Sequence, residues 1–140
     1  IDDFTKQSVG ILVGHSISGA EVARYLESLG PKPDRIRSDN GPEFVSMALI
    51  NWLHDAGIEH ETITPGKPNE NAYIESFNSR FRDECLNEHV FRDLTDAKRK
   101  IEDWRKDYNE NHPHSSLDMK TPNGFADQWS QCYQPPINAT

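Results

Sequence analysis

The stretch PDRIRSDNGPEF, residues 33–44, sets a short apolar-basic run against an abrupt break made of Asp39, Asn40, Gly41 and Pro42. Ile36 between two arginines reads as a short strand, and Asp-Asn-Gly-Pro is turn chemistry that cannot continue one. A plain turn would account for that much. The residues on either side give it a frame. EFVSMALINWLHDAG (43–57) reads as a helix stopped by Gly57, and IEHETI (58–63) as the next strand.

The same alternation precedes the break. SVGILVGHSI (8–17) is apolar and branched enough for a strand. SGAEVARYLESLG (18–30) follows with Ser18 as cap, Glu21 three residues on, apolar Val22, Tyr25, Leu26 and Leu29, and Gly30 as stop. Beyond Ile63, TPGKPNEN (64–71) is a loop, a long helix is expected from about Asn71 to Glu88, and another helix is expected to start at a Thr95 cap. In the latter, Leu94, Ala97, Ile101, Trp104 and Tyr108 recur every three or four residues as an ordinary core stripe. The remainder is turn-rich, with one short helix near Thr121 to Trp129. Strands alternating with helices indicate an α/β domain with a partly parallel sheet.

With 140 residues the chain is long enough for one real core but not for two independent ones. Its hydrophobic content of 34% is low, yet three Trp, six Phe and four Tyr favour folding over disorder. The net charge of −8 argues against a whole-surface nucleic-acid footprint, so any DNA contact has to be local or metal-assisted. Cys85 and Cys132, with no CxxC and no signal-peptide pattern, fit reduced thiols in a cytosolic protein, and no run reaches the apolar length of a membrane helix. IDDFTKQSVGILV opens without Met and already reads as strand, turn and strand, which leads us to expect further sequence upstream.

The second feature of chemical interest lies on the long helix, NENAYIESFNSRFRDEC (69–85). Ile74, Phe77, Phe81 and Cys85 form one apolar stripe, while Asn71, Glu75, Asn78 and Arg82 fall on a neighbouring polar one. Alone, that stripe would be a solvated helix face. It does not stand alone, because a strand ends at Asp39 and a helix opens just before Glu75, with thirty-five residues between them.

At this point the chain resembles the catalytic core of the DDE transposases of bacterial insertion sequences, the retroviral-integrase-like group. The blocks that carry the likeness are IDDFT (1–5), IRSDNGPEF (36–44), PGKPNENAYIESFNSRFRDECLNEH (65–89), DYNENHPHSSL (107–117) and TPNGF (121–125). Their order makes the match specific, where SDNG by itself would be weak. The resemblance implies a ribonuclease H-like α/β fold, a mixed sheet flanked by helices, here lacking its first strand. It implies a core over residues 1–112 and a turn-rich tail over 113–140. Asp39 and Glu75 then become catalytic residues and metal ligands for Mg²⁺ or Mn²⁺, with two ions in the complete enzyme, since hard divalent cations prefer carboxylate oxygens and water.

The activity implied is metal-dependent DNA strand cleavage and strand transfer in transposition, on mobile-element ends and target DNA, by a homo-oligomer in the bacterial cytoplasm. Lys67, Asn71, Asn78 and Arg82 are the expected DNA contacts; the ordinary alternative for Arg82 is an ion pair with Asp83 or Glu88, and for Lys67 a solvated loop. The family's first acid lies on a strand upstream of Ile1, so the fragment by itself is expected to be inactive. Asp2 and Asp3 match the second strand and are poor substitutes. A catalytically inactive fragment or multimerisation module is the alternative from another class. His112 and His114 make a weak metal pair with no Cys near them, and Cys85 belongs to the core.

Overall fold

The computed structural model describes residues 1–63 and 72–132. They form two compact units, residues 12–98 and residues 1–11 with 99 onward. The first of these contains a strand–helix–strand crossover. Strand β1 (Arg35–Ser38) runs into helix α2 (Met47–Asp55) and returns as strand β2 (Glu59–Thr62), parallel to β1. Parallel pairing needs a connection long enough to cross the sheet, and α2 supplies it.

The register pairs Arg35 with Glu59, Ile36 with His60, Arg37 with Glu61 and Ser38 with Thr62. Strand periodicity then sorts the side chains by face. Arg35 and Arg37 meet Glu59 and Glu61 on one face, with Arg35 3.1 Å from Glu59 and Arg37 3.7 Å from Glu61. The Arg35–Glu59 pair is solvent-exposed and the Arg37–Glu61 pair partly buried, and at these separations they contribute little more than register, about 0.2–1 kcal/mol each. On the other face Ile36 joins an apolar cluster built on Ala23, Leu49, Leu53 and Ile58, with Val22, Leu26, Phe44 and Trp52 packed against it. Burial of one such Leu contributes roughly 2 kcal/mol, so this cluster, not the charge ladder, holds the unit together.

Helix α1 (Gly19–Ser28) begins as its sequence indicates: the Ser18 side chain accepts from the Glu21 amide, and Gly30, at φ +92°, takes the left-handed conformation beyond its end. Helix α2 starts at Met47, four residues later than the expected start at Glu43. The amides of Phe44 and Val45 both turn back to the Gly41 carbonyl, and Ser46 captures the cap by accepting from Leu49. Helix α3 (Ala72–Phe81) continues into a wider π turn, Arg82–Leu86, closed by the Asn87 amide on the Arg82 carbonyl at 2.8 Å. Helix α4 (Leu94–Asn111) starts one residue before the expected Thr95 cap. Asp93 takes that role, its carboxylate accepting from the Asp96 amide at 2.7 Å, because a carboxylate both caps and favours the helix dipole.

Residues 8–17, expected as a strand, belong to no ladder. Branched composition favours extended backbone, but a strand exists only through its partner. The buried Ser8 has found another one: its amide donates to Asn109 Oδ1 at 2.8 Å and its carbonyl accepts from Asn109 Nδ2 at 2.9 Å, with Arg105 donating to the same carbonyl. One side-chain amide of α4 thus presents the donor and acceptor that a neighbouring strand would have offered. In the same unit helix α5 (Pro122–Cys132) opens on Thr121, whose hydroxyl accepts from Gly124, with Pro122 at the first helical position where a missing N–H costs nothing. Phe125 and Trp129 of α5 pack edge-on against Phe4 at 5.3 and 5.0 Å.

Candidate active site

Asp39 is the first residue beyond β1 and its side chain is exposed. Its Oδ1 accepts the Gly41 amide at 2.9 Å, an Asx turn that fixes one carboxylate oxygen. The backbone around it is tied to the second strand. The buried Ser38 hydroxyl donates to the Asp39 carbonyl at 2.9 Å and lies 2.8 Å from His60 Nε2. Asn40 Nδ2 donates to the Ile63 carbonyl at 3.1 Å, and the Ile63 amide donates to the Ser38 carbonyl at 3.0 Å. Gly41 leaves room for two carboxylates. A Cβ there would sit 2.7 Å from Glu43 Oε1 and 3.1 Å from Asp39 Oδ1.

Glu75 lies in the first turn of α3, exposed, with Asn78 one turn on and Arg82 at the start of the π turn, also exposed. The opposite side anchors the helix: Phe77 stacks on Phe81 at 6.3 Å and Cys85 is fully buried. Because the π turn begins at Arg82, it leaves the stripe from Glu75 to Arg82 in regular helical spacing. Among the described residues neither Asp39, Glu75 nor Arg82 takes part in an ion pair; the pair on this segment is Arg80 with Glu84 at 3.5 Å. Lys67 and Asn71 lie outside the described residues.

Other candidates resolve into structural parts. Asp2 Oδ1 accepts the amides of Phe4 and Thr5 at 2.8 Å each, which is turn-making. His112 stacks on Tyr108 at 5.2 Å, and His114 meets both edge-on. Burial pushes the Cys85 thiol up, away from the thiolate a nucleophile needs. Among the described residues no three His, Cys, Asp or Glu side chains gather as a metal site. Asp39 and Glu75 do fit a hard divalent cation in kind: both are exposed carboxylates outside any ion pair among these residues. Sequence reading missed Glu43, over Gly41, and His60, whose position one strand away from Ser38 follows only from the register.

An α/β crossover with a carboxylate at the carboxyl end of its first strand and a second on a following helix agrees with the ribonuclease H-like fold that the comparisons below support. Two family models, each described as integrase core domain, match residues 1–68 and 56–122, and the chain belongs to that family. It is 54% identical over 129 residues to an uncharacterized insertion-element protein of Xanthomonas euvesicatoria, covering 90% of this chain and 37% of that one. A second insertion-element protein, from Burkholderia multivorans, is 51% identical over 90% of this chain and 47% of its own length. The chain therefore spans less than half of these relatives. A transposase of an insertion sequence in Lactococcus lactis is 28% identical over 89% of this chain.

In fold, the chain matches the crystal structure of the catalytic core domain of BIV integrase, with a TM-score of 0.69 at 17% identity over 93% of this chain and 84% of that one. It is a transposase/integrase catalytic core. Proteins of this family act on DNA and use divalent metal ions. Among the described residues no helix is long and apolar enough to cross a membrane.

Proposed function

We propose that this core cleaves and joins DNA strands in transposition, with Asp39 and Glu75 as two of its metal-holding carboxylates. The observation that carries the reading is the Asp39 turn: Gly41 engages Oδ1 alone, so the carboxylate is oriented while its other oxygen remains open to a ligand. Mg²⁺ or Mn²⁺, as a pair of ions, would supply charge stabilisation to the attacking and leaving oxygens of an in-line displacement. The chain's own residues do the rest. Asp39 and Glu75 hold the site, while Asn78 and Arg82, together with Lys67 and Asn71, grip the DNA backbone.

In the first step a water oxygen attacks phosphorus and the P–O3′ bond breaks, leaving a 3′-hydroxyl and a 5′-phosphate. In the second, that hydroxyl loses its proton and attacks a phosphodiester of the target. One P–O bond forms there as another breaks. The substrates are mobile-element ends and a target duplex in the bacterial cytoplasm. The working form is a homo-oligomer, with residues 1–112 as its catalytic body and 113–140 as a tail. A plasmid-nicking assay with Mg²⁺, run on the protein together with the upstream sequence expected to carry the first acid, tests the reading. Asp39→Asn and Glu75→Gln should each lower the rate about 100-fold or more while leaving the fold intact, since each removes several kcal/mol of transition-state charge stabilisation. Wild-type rates from either variant, or nicking that persists in EDTA, would refute it.

A further inference from the structure

We propose that His60 is a positioning residue for Asp39, acting through the Ser38 hydroxyl as a fixed Nε2–H donor. The inference rests on the reading of Asp39 as a metal-holding carboxylate. Ser38 Oγ has two polar neighbours, the Asp39 carbonyl at 2.9 Å and His60 Nε2 at 2.8 Å. A carbonyl only accepts, so the single hydroxyl hydrogen goes to Asp39. What Oγ then offers the imidazole is a lone pair. Nε2 must carry a hydrogen, and in the neutral ring Nδ1 is bare.

The parallel register explains how the ring reaches Ser38. Thr62 is the direct partner of Ser38, and His60 stands two residues earlier on the same face of β2, within diagonal reach. Ser38 is only 6% exposed, so water does not compete freely for its hydroxyl. The resulting chain, imidazole to hydroxyl to carbonyl, orients the peptide plane between Asp39 and Asn40. Asn40 Nδ2 on the Ile63 carbonyl holds the far side of that plane to the segment just after β2. Backbone on both sides of Asp39 is thereby tied to one neighbouring segment, and the carboxylate is left with the Gly41 amide alone. Partners of this indirect kind fix where a ligand oxygen points, and their loss typically weakens metal binding about 10–100-fold.

The test has two arms. Nitrogen-15 spectroscopy of the His60 ring in the wild-type protein should show the hydrogen on Nε2; a neutral ring protonated on Nδ1 would overturn the proposal without any variant being made. In the second arm, Mn²⁺ affinity is measured by calorimetry on proteins whose melting confirms folding. His60→Leu should weaken binding about tenfold. His60→Gln, whose amide nitrogen can donate from a similar place, should stay within about threefold. Ser38→Ala should match His60→Leu, and the double variant should be no worse than either, because all three break one chain. A purely structural histidine would lower the melting temperature and leave Mn²⁺ affinity of the folded protein unchanged. If Asp39→Asn abolishes binding while His60→Leu does not weaken it, the positioning role is wrong and the site stands. If Asp39→Asn also binds as wild type does, the reading of the site falls and this inference with it.

Discussion

Gly19→Ala is the perturbation that best separates local propensity from packing. Alanine is the stronger helix former, and by propensity alone the change at the start of α1 should stabilise by up to about 1 kcal/mol. The structure points the other way. Gly19 is buried, and a Cβ there would lie 1.6 Å from Ser46 Oγ, 2.6 Å from Ser46 Cβ and 2.8 Å from the Glu43 carbonyl. The hydroxyl could rotate aside, but Ser46 Cβ and the Glu43 carbonyl are fixed to backbone, so one helix must move. Overpacking of this kind costs about 1–3 kcal/mol. Rotating Ser46 also forfeits its cap on Leu49, about 1 kcal/mol more. Set against the propensity gain, the net expectation is roughly 1–3 kcal/mol of destabilisation, or a melting temperature lower by about 3–9 °C.

Urea unfolding with amide exchange on α1 and α2 would measure it, and two companions sharpen the outcome. Gly30→Ala, at φ +92° with nothing within 4 Å, should lose only about 1 kcal/mol from backbone strain. Ser46→Gly removes the two side-chain atoms in the way, so the Gly19→Ala cost should fall by at least about 1 kcal/mol in that background. A neutral or stabilising Gly19→Ala, or strict additivity with Ser46→Gly, would refute the contact between α1 and the start of α2.

Three further outcomes are expected. Asn109→Ala should destabilise by about 1–3 kcal/mol and strip amide-exchange protection from Ser8, since it leaves a buried N–H without its acceptor. Glu102 is held below the ordinary carboxylate range chiefly by its hydrogen bond from Arg105, so its contribution is present at neutral pH and lost as pH falls through that lowered value. Because Glu102 is 43% exposed, solvent screening keeps the effect to about 0.3–0.5 kcal/mol, and Glu102→Gln should cost that much at pH 7 and nothing at low pH in thermal melts. Arg82→Ala should weaken DNA binding and lower the salt slope by about one counterion; an unchanged slope would remove Arg82 from the phosphate contacts.

Local signals were the legible part of the fold. Ser18 with Glu21 and the glycines at 30 and 57 each act within one turn of helix, and each appears in the structure where its chemistry places it. Reading failed where a local preference met a distant partner. Residues 8–17 have strand composition, but Asn109, 101 positions away from Ser8, satisfies that backbone with a side chain, and composition carries no trace of such a choice. The late start of α2 is a smaller case of the same kind. Its apolar pattern runs back to Phe44, yet Gly41 accepts both following amides and delays the helix to the next available cap, Ser46.

The site divides along the same line. Asp39 was legible as the acid of a turn that closes a strand, which alone is plain turn chemistry; only the resemblance to the integrase-like cores made it a candidate ligand. Glu75 was legible as one member of a polar stripe at helical spacing. What keeps Asp39 in place was not, because His60 is 22 residues from Ser38 and reaches it only if β1 and β2 pair in one particular register. Slipping that register by a single residue would send His60 to the face carrying Arg35 and Arg37. The Arg35–Glu59 and Arg37–Glu61 ladder therefore has a consequence larger than its small energy. By disfavouring the slipped pairings, in which these charges would face uncharged neighbours, it keeps the imidazole on the side of the sheet where the hydroxyl beneath Asp39 can accept its proton. Surface charge on one face of the β1–β2 pair thus helps to place the acid proposed as a metal ligand.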